Sequence, residues 1–115
     1  MEMNDILKLV VNAAEDKKAE KVEVIEISDI SSIGDYFVIA NGDNVNQVHA
    51  ISQNIEEAMD KINRKPLSIE GYSGGNWILM DYGDIIIHIF DTETRNYYNI
   101  ERIWKDGKRI DKDAL

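Results

Sequence analysis

Apolar positions recur along the chain with two periods. Over residues 4–18, Ile6, Leu7, Val10, Val11, Ala13 and Ala14 fall three and four apart, the spacing of one helical stripe. Asn4 or Asp5 is placed to cap its start, and the lysines of EDKKAEK suit the negative end of the helix dipole. VEVIEIS, residues 22–28, predicts a β-branched strand whose glutamates imply partial exposure. DYFVIANG, residues 35–42, is almost continuously apolar and ends at Asn-Gly, as a central strand covered on both faces would. A second helix is predicted from Asp43 or Asn44 to about Asn63, with Val48, Ile51, Ile55, Ala58, Met59 and Ile62 on its inner stripe. Pro66, the only proline, marks its exit, and LSIEG, residues 67–71, reads as a short strand.

WILMDYGDIIIHIF, residues 77–90, reads as a hairpin. With Tyr82 and Gly83 at the turn, Met80 pairs with Ile85, Ile78 with Ile87 and Trp77 with His88. One face then carries Ile78, Met80, Ile85, Ile87 and Ile89 and is a core face. The other carries Trp77, Leu79, Asp81, Ile86, His88 and Phe90, apolar but mixed with an acid and an imidazole. A last helix is predicted from Thr94 to Asp106, with Tyr97, Ile100 and Trp104, joined by Tyr98 and Ile103, on its apolar side. The closing DGKRIDKDAL predicts a frayed polar tail. The order implies one α/β domain over residues 1–115, with a mixed five-stranded sheet, a parallel crossover between residues 36 and 71 and a final antiparallel hairpin.

Composition narrows the function classes. The chain has no cysteine, which removes thiol nucleophiles, disulfides and thiolate metal sites. No apolar run approaches the roughly 20 residues that span a bilayer. The N-terminal MEMNDILKLV has acids where a secretory signal has a basic segment, so a cytoplasmic protein without membrane association is expected. A net charge of −9 weighs against a phosphate-backbone binder and favours a basic partner.

Catalytic signals are poor. His49 and His88 lie on different elements without ligand spacing; His49 reads as a helix boundary residue and His88 as structural or interfacial. Asp35, Asp43, Glu70, Asp81 and Asp84 are the candidates for a magnesium-dependent transfer site, yet none forms an Asp-x-Asp pair on a strand. The glycine-containing stretches 73–75 and 41–43 match no phosphate loop, so turn chemistry explains these acids better. Neither a catalytic site, a metal nor a cofactor is expected. The aromatic residues are the stronger signal: both tryptophans and four of five tyrosines fall in residues 72–104. Trp77, Phe90, Tyr97, Tyr98, Arg102 and Trp104 are of the types that anchor interfaces. For Trp104 and Tyr97, closing the core is an equal alternative.

The stretches EDKKAEKVEVIEI, SSIGDYFVIANGDNVNQVHAI, IEG, WILMDYGDIIIHIF and RNYYNIERIW together resemble the ribosomal silencing factor family, also called Iojap or RsfS, through almost the whole chain. Asn41, where the family commonly has serine, and Gly34, where alanine is expected, are small departures. The resemblance implies a nucleotidyltransferase-like fold without the catalytic acids, hence no enzyme. It implies binding to the large ribosomal subunit through ribosomal protein L fourteen, which obstructs joining of the small subunit and represses translation. A role in large-subunit assembly is the alternative, and a nucleotidyltransferase-like enzyme a weaker one. No direct nucleic-acid specificity is expected, and a homodimer through the mixed face is a further reading. Carried onto this chain, the partner surface would comprise Trp77, Leu79, Asp81, His88 and Phe90, extended by Tyr98, Glu101 and Arg102, with Tyr82 and Asp84 as rim contacts.

Overall fold

A computed structural model describes all residues, 1–115. Helix α1 (Met3–Asp16) leads to strand β1 (Glu20–Glu26) and strand β2 (Tyr36–Gly42). Helix α2 (Val45–Asp60) follows, then strands β3 (Ser68–Glu70), β4 (Trp77–Asp81) and β5 (Ile85–Asp91). Two short helices, α3 (Thr92–Tyr98) and α4 (Ile100–Ile103), precede strand β6 (Lys108–Ile110) and a closing 3₁₀ turn. The strands form one sheet in the order β3-β4-β5-β2-β1-β6, in which β2 and β5 run parallel and every other neighbouring pair antiparallel. The crossover through α2 therefore steps over two strand positions before landing on β3.

Alternation divides the strands between two cores. Val38 and Ala40 of β2, Ile78 and Met80 of β4, and Ile85, Ile87 and Ile89 of β5 face α1 and α2. Leu7, Val10, Val48, Ile51, Ile55 and Met59 of those helices complete this main core. Phe37, Ile39, Ile86 and Phe90 point the other way, joined by Ile25 and Ile27 of the first strand segment, and only Ile100 and the half-buried Trp104 descend on them from the last helical segment. A two-helix layer covers one face and a short strap covers the other. Asn44 caps α2 as predicted, its side chain accepting from the Gln47 amide at 2.9 Å.

Four features differ from the sequence expectation, the first being that α1 has Glu2 at its N-cap with no side-chain cap, so Asn4 and Asp5 lie inside the helix. The hairpin register is displaced by two residues: Trp77 pairs with Phe90, Leu79 with His88 and Met80 with Ile87. The Tyr82 amide donates to the Ile85 carbonyl, so the turn residues are Gly83 and Asp84, and Gly83 takes the positive φ of +88° that a tight hairpin requires there. An even displacement leaves every side chain on its predicted face. The last helix is broken, because Asn99 adopts the left-handed conformation (φ 46°, ψ 57°) and its amide closes α3 onto the Arg95 carbonyl. That break redirects the chain so that Ile100 and Trp104 reach the sheet.

The sheet also has six strands, because the expected tail forms β6 on the outer edge of β1. Arg109 pairs with Glu23, Lys108 lies opposite Glu26, and Ile110 packs against the main core. One apolar residue among charges is a weak strand signal, but those charges complement the glutamates of β1 and guard the new edge.

Candidate functional site

The face without a helix layer holds a continuous row of rings. Trp104 meets Phe37 edge-on at 5.1 Å, and Phe37 meets His88 at 4.6 Å. Trp77 lies 5.9 Å from His88 and 5.0 Å from Phe90 and from Tyr98, and Tyr98 meets Tyr97 at 5.0 Å. The row exists because β2, β4 and β5 place alternate residues on one face and the bend at Asn99 folds α3 and α4 over its margin. Its middle is sealed and its end is open. Phe90 is fully buried and His88 nearly so, whereas Trp77 and Leu79 are half-buried and Tyr98 and Tyr97 are 49% and 77% exposed.

Burial sorts the predicted surface residues. Trp77, Leu79, Tyr98 and Arg102 reach solvent. Phe90 and His88 do not; they form the floor beneath Trp77 rather than contacts. Tyr82 is not a rim residue. With the turn at Gly83 and Asp84, it continues the alternation of Ile78 and Met80 into the main core, where burial foremost pushes its hydroxyl up to about 12. Asp81 accepts from the Gly83 amide at 2.8 Å and shapes the turn, and Asp84 pairs with Arg64 at 2.6 Å. Glu101 turns inward to Arg95. Of the pair left open, Trp104 docks on Phe37 and Tyr97 is surface.

His88 is held as a neutral ring. The Trp77 indole N–H donates to its Nδ1 at 3.1 Å, which leaves the imidazole proton on Nε2. Nε2 is buried without a partner, and desolvation lowers the ring to about 4 from its ordinary 6.5. The bond orients Trp77, so the half-buried ring that leads to the open end of the row is anchored to a buried group. Gly71 sets its other side: at φ +78°, a Cβ there would lie 2.1 Å from the Trp77 carbonyl. Gly71→Ala is therefore expected to destabilise the domain by about 2 kcal/mol and to shift the Trp77 fluorescence, both read by denaturant titration.

Sequence reasoning missed a polar cluster at the carboxyl ends of the parallel pair β2 and β5. Buried Arg95 donates to Asn41 Oδ1 at 2.8 Å and to the Glu20 carbonyl at 3.3 Å, and lies 3.5 Å from Glu101. Asn41 in turn donates to Thr92 Oγ1 at 3.0 Å. The available signal was a charged residue where a helix on a sheet needs a buried face. The acids at the turn and strand ends do not converge, and no group of three or more His, Asp or Glu side chains in the chain is placed to hold a metal ion. No helix is long and apolar enough to cross a membrane.

These features define a mixed α/β domain with one sheet face packed by two helices and the other carrying a part-open aromatic surface. Comparison with known proteins gives the family. The family RsfS, ribosomal silencing factor during starvation, matches over residues 1–115. A ribosomal silencing factor from Halalkalibacterium halodurans is 35% identical over 115 residues, covering 100% of this chain and 98% of the relative. A crystal structure of a protein from Chromobacterium violaceum superposes with a TM-score of 0.88 at 30% identity, covering 91% of this chain and 88% of the other. A more distant match, mouse mitochondrial assembly of ribosomal large subunit protein 1, is 26% identical over 99 residues, 84% of this chain and 43% of its own length. The chain belongs to the ribosomal silencing factor family.

Proposed function

We propose that this chain acts in the cytoplasm by binding the large ribosomal subunit through ribosomal protein L fourteen, so that its bulk obstructs the small subunit and translation falls. The observation that carries this reading is the open end of the aromatic row. Trp77, Leu79 and Tyr98 are presented on a face that lacks the helix layer its opposite side has. Half-exposed aromatic side chains on a rigid sheet lose little entropy on docking and supply the desolvated area that anchors interfaces. The net charge of −9 favours encounter with a basic ribosomal protein. The action needs occupancy and no turnover, and no direct nucleic-acid specificity is involved. Asp81 and Asp84, the acids a nucleotidyltransferase reading would use, are committed to the turn amide and to Arg64. Calorimetric titration with nucleotide and magnesium is expected to be flat.

The test is co-sedimentation with purified large subunits, small subunits and joined ribosomes at matched salt. Selective binding to large subunits, with fewer joined particles as protein is added, is expected; absence of large-subunit binding overturns the reading. Trp77→Ala is expected to weaken binding by about 2 kcal/mol, as loss of an anchor would, with the far-ultraviolet circular dichroism unchanged. A role in large-subunit assembly is the second reading, favoured by the match to the mitochondrial assembly protein. It predicts that precursor large particles accumulate when the chain is depleted. Self-association through the same face predicts a mass that rises with concentration and reverts to the monomer in Trp77→Ala.

A further inference from the structure

Beside the exposed end of the aromatic row lies a groove of about 560 Å³. Trp77, Tyr97 and Tyr98 form its apolar walls, and Asn76, Asp91 and Glu93 lie among its polar lining. The walls come from β4 and α3, which the Asp91 amide joins by donating to the Asn76 carbonyl at 3.0 Å. Neither Asp91 nor Glu93 forms an ion pair. One Asp91 oxygen caps Thr94 at 2.7 Å, and Glu93 stands exposed. We infer that this groove receives a single arginine or lysine side chain projecting from a basic protein partner, its cation between the aromatic faces and the Glu93 and Asp91 carboxylates.

Charge and ring chemistry select that occupant. Aromatic faces attract a cation through their quadrupole, and the unpaired Glu93 carboxylate, with the Asp91 carboxylate that keeps one oxygen on the Thr94 amide, repels an anion at the same opening. An apolar plug would leave the Glu93 carboxylate desolvated without a partner, which opposes binding. Two carboxylates backed by rings offer too few oxygen donors for a divalent ion, whereas a guanidinium can stack and hydrogen-bond together. The inference rests on the docking reading above and names the partner chemistry of its margin. Glu93, Asp91 and Tyr97 become specificity residues that the aromatic anchors alone would not supply.

The experiment titrates the full chain with N-acetyl-arginine amide and, as a control, N-acetyl-glutamate amide, following the ring signals of Trp77, Tyr97 and Tyr98 by nuclear magnetic resonance. Saturable shifts at these three rings with the arginine derivative alone, absent at Trp104 and lost in Glu93→Lys, are expected. Absence of saturable shifts, equal shifts with the glutamate derivative, or shifts unchanged in Glu93→Lys overturn the inference. Signals that move with the chain's own concentration before any probe is added would place a second copy in the groove and overturn it as well. In parallel, Glu93→Lys is expected to weaken large-subunit binding by about tenfold at low salt. Unchanged binding would show that the groove is not used in docking, which also overturns the inference. If the unaltered chain fails to bind large subunits, the ribosomal reading falls while the amide titration still decides the groove.

Discussion

Arg95→Ala is expected to remove about 3–5 kcal/mol of folding stability, the usual consequence of breaking a buried charged pair by deleting one partner. Arg95 is 5% exposed and holds three separate parts of the chain together: the Glu20 carbonyl on β1, Asn41 at the end of β2 and Glu101 on α4. Without the guanidinium, the Glu101 carboxylate faces a buried site in which its Oε1 already has no partner. The effect would concentrate on α4, whose only buried anchor is Ile100. Urea unfolding gives the stability, and Trp104 fluorescence reports whether the strap lifts from Phe37. Arg95→Lys should recover little, because a point-charge ammonium cannot make the forked contacts. Arg95→Met combined with Glu101→Leu should recover most of the loss, because both charges are then absent.

The second large effect is acid sensitivity from His88. Its folded-state value of about 4 lies below the ordinary 6.5, because burial disfavours the charged ring. Between those values the unfolded chain takes up a proton that the folded chain does not, so stability falls as pH falls through this window. The contribution is complete above about pH 6.5 and lost by about pH 4, a total of about 3 kcal/mol at 1.36 kcal/mol per unit. Protonation also converts Nδ1 from acceptor to donor and removes the Trp77 bond. His88→Phe is expected to flatten the dependence of urea stability on pH between about 5 and 6.5, above the range where carboxylates titrate. A slope unchanged by His88→Phe would assign the acid sensitivity to other groups.

How legible the fold was depends on the range of the interactions that set each element. Helices α1 and α2, strand β2 and both faces of the hairpin were readable because periodicity and the Asn44 cap are local properties. The hairpin register was not, because Tyr82-Gly83 and Gly83-Asp84 turns give the same alternation. Only the tertiary placement of Tyr82 in the main core distinguishes them. The last helix was overextended because Tyr97, Ile100 and Trp104 fit a helical stripe, while the left-handed Asn99 is paid back by packing of Ile100 across the sheet. β6 depends on charges from residues more than eighty positions away on β1, which no local pattern records.

The candidate surface divides the same way. The sequence by itself determined that one sheet face is aliphatic and the other aromatic and mixed, since side chains alternate along a strand whatever surrounds them. It also determined family membership, because the motifs run through almost the whole chain. The tertiary structure alone decided which aromatic residues are available. Phe90, His88 and Tyr82 are buried, Trp104 straps the inner part of the row, and Trp77, Leu79 and Tyr98 remain at its open end. It also paired Arg95 with Glu101 and brought Asp91 and Glu93 beside the rings. Which side of a strand a residue occupies is a local fact; whether that side meets protein or water depends on where distant segments come to rest.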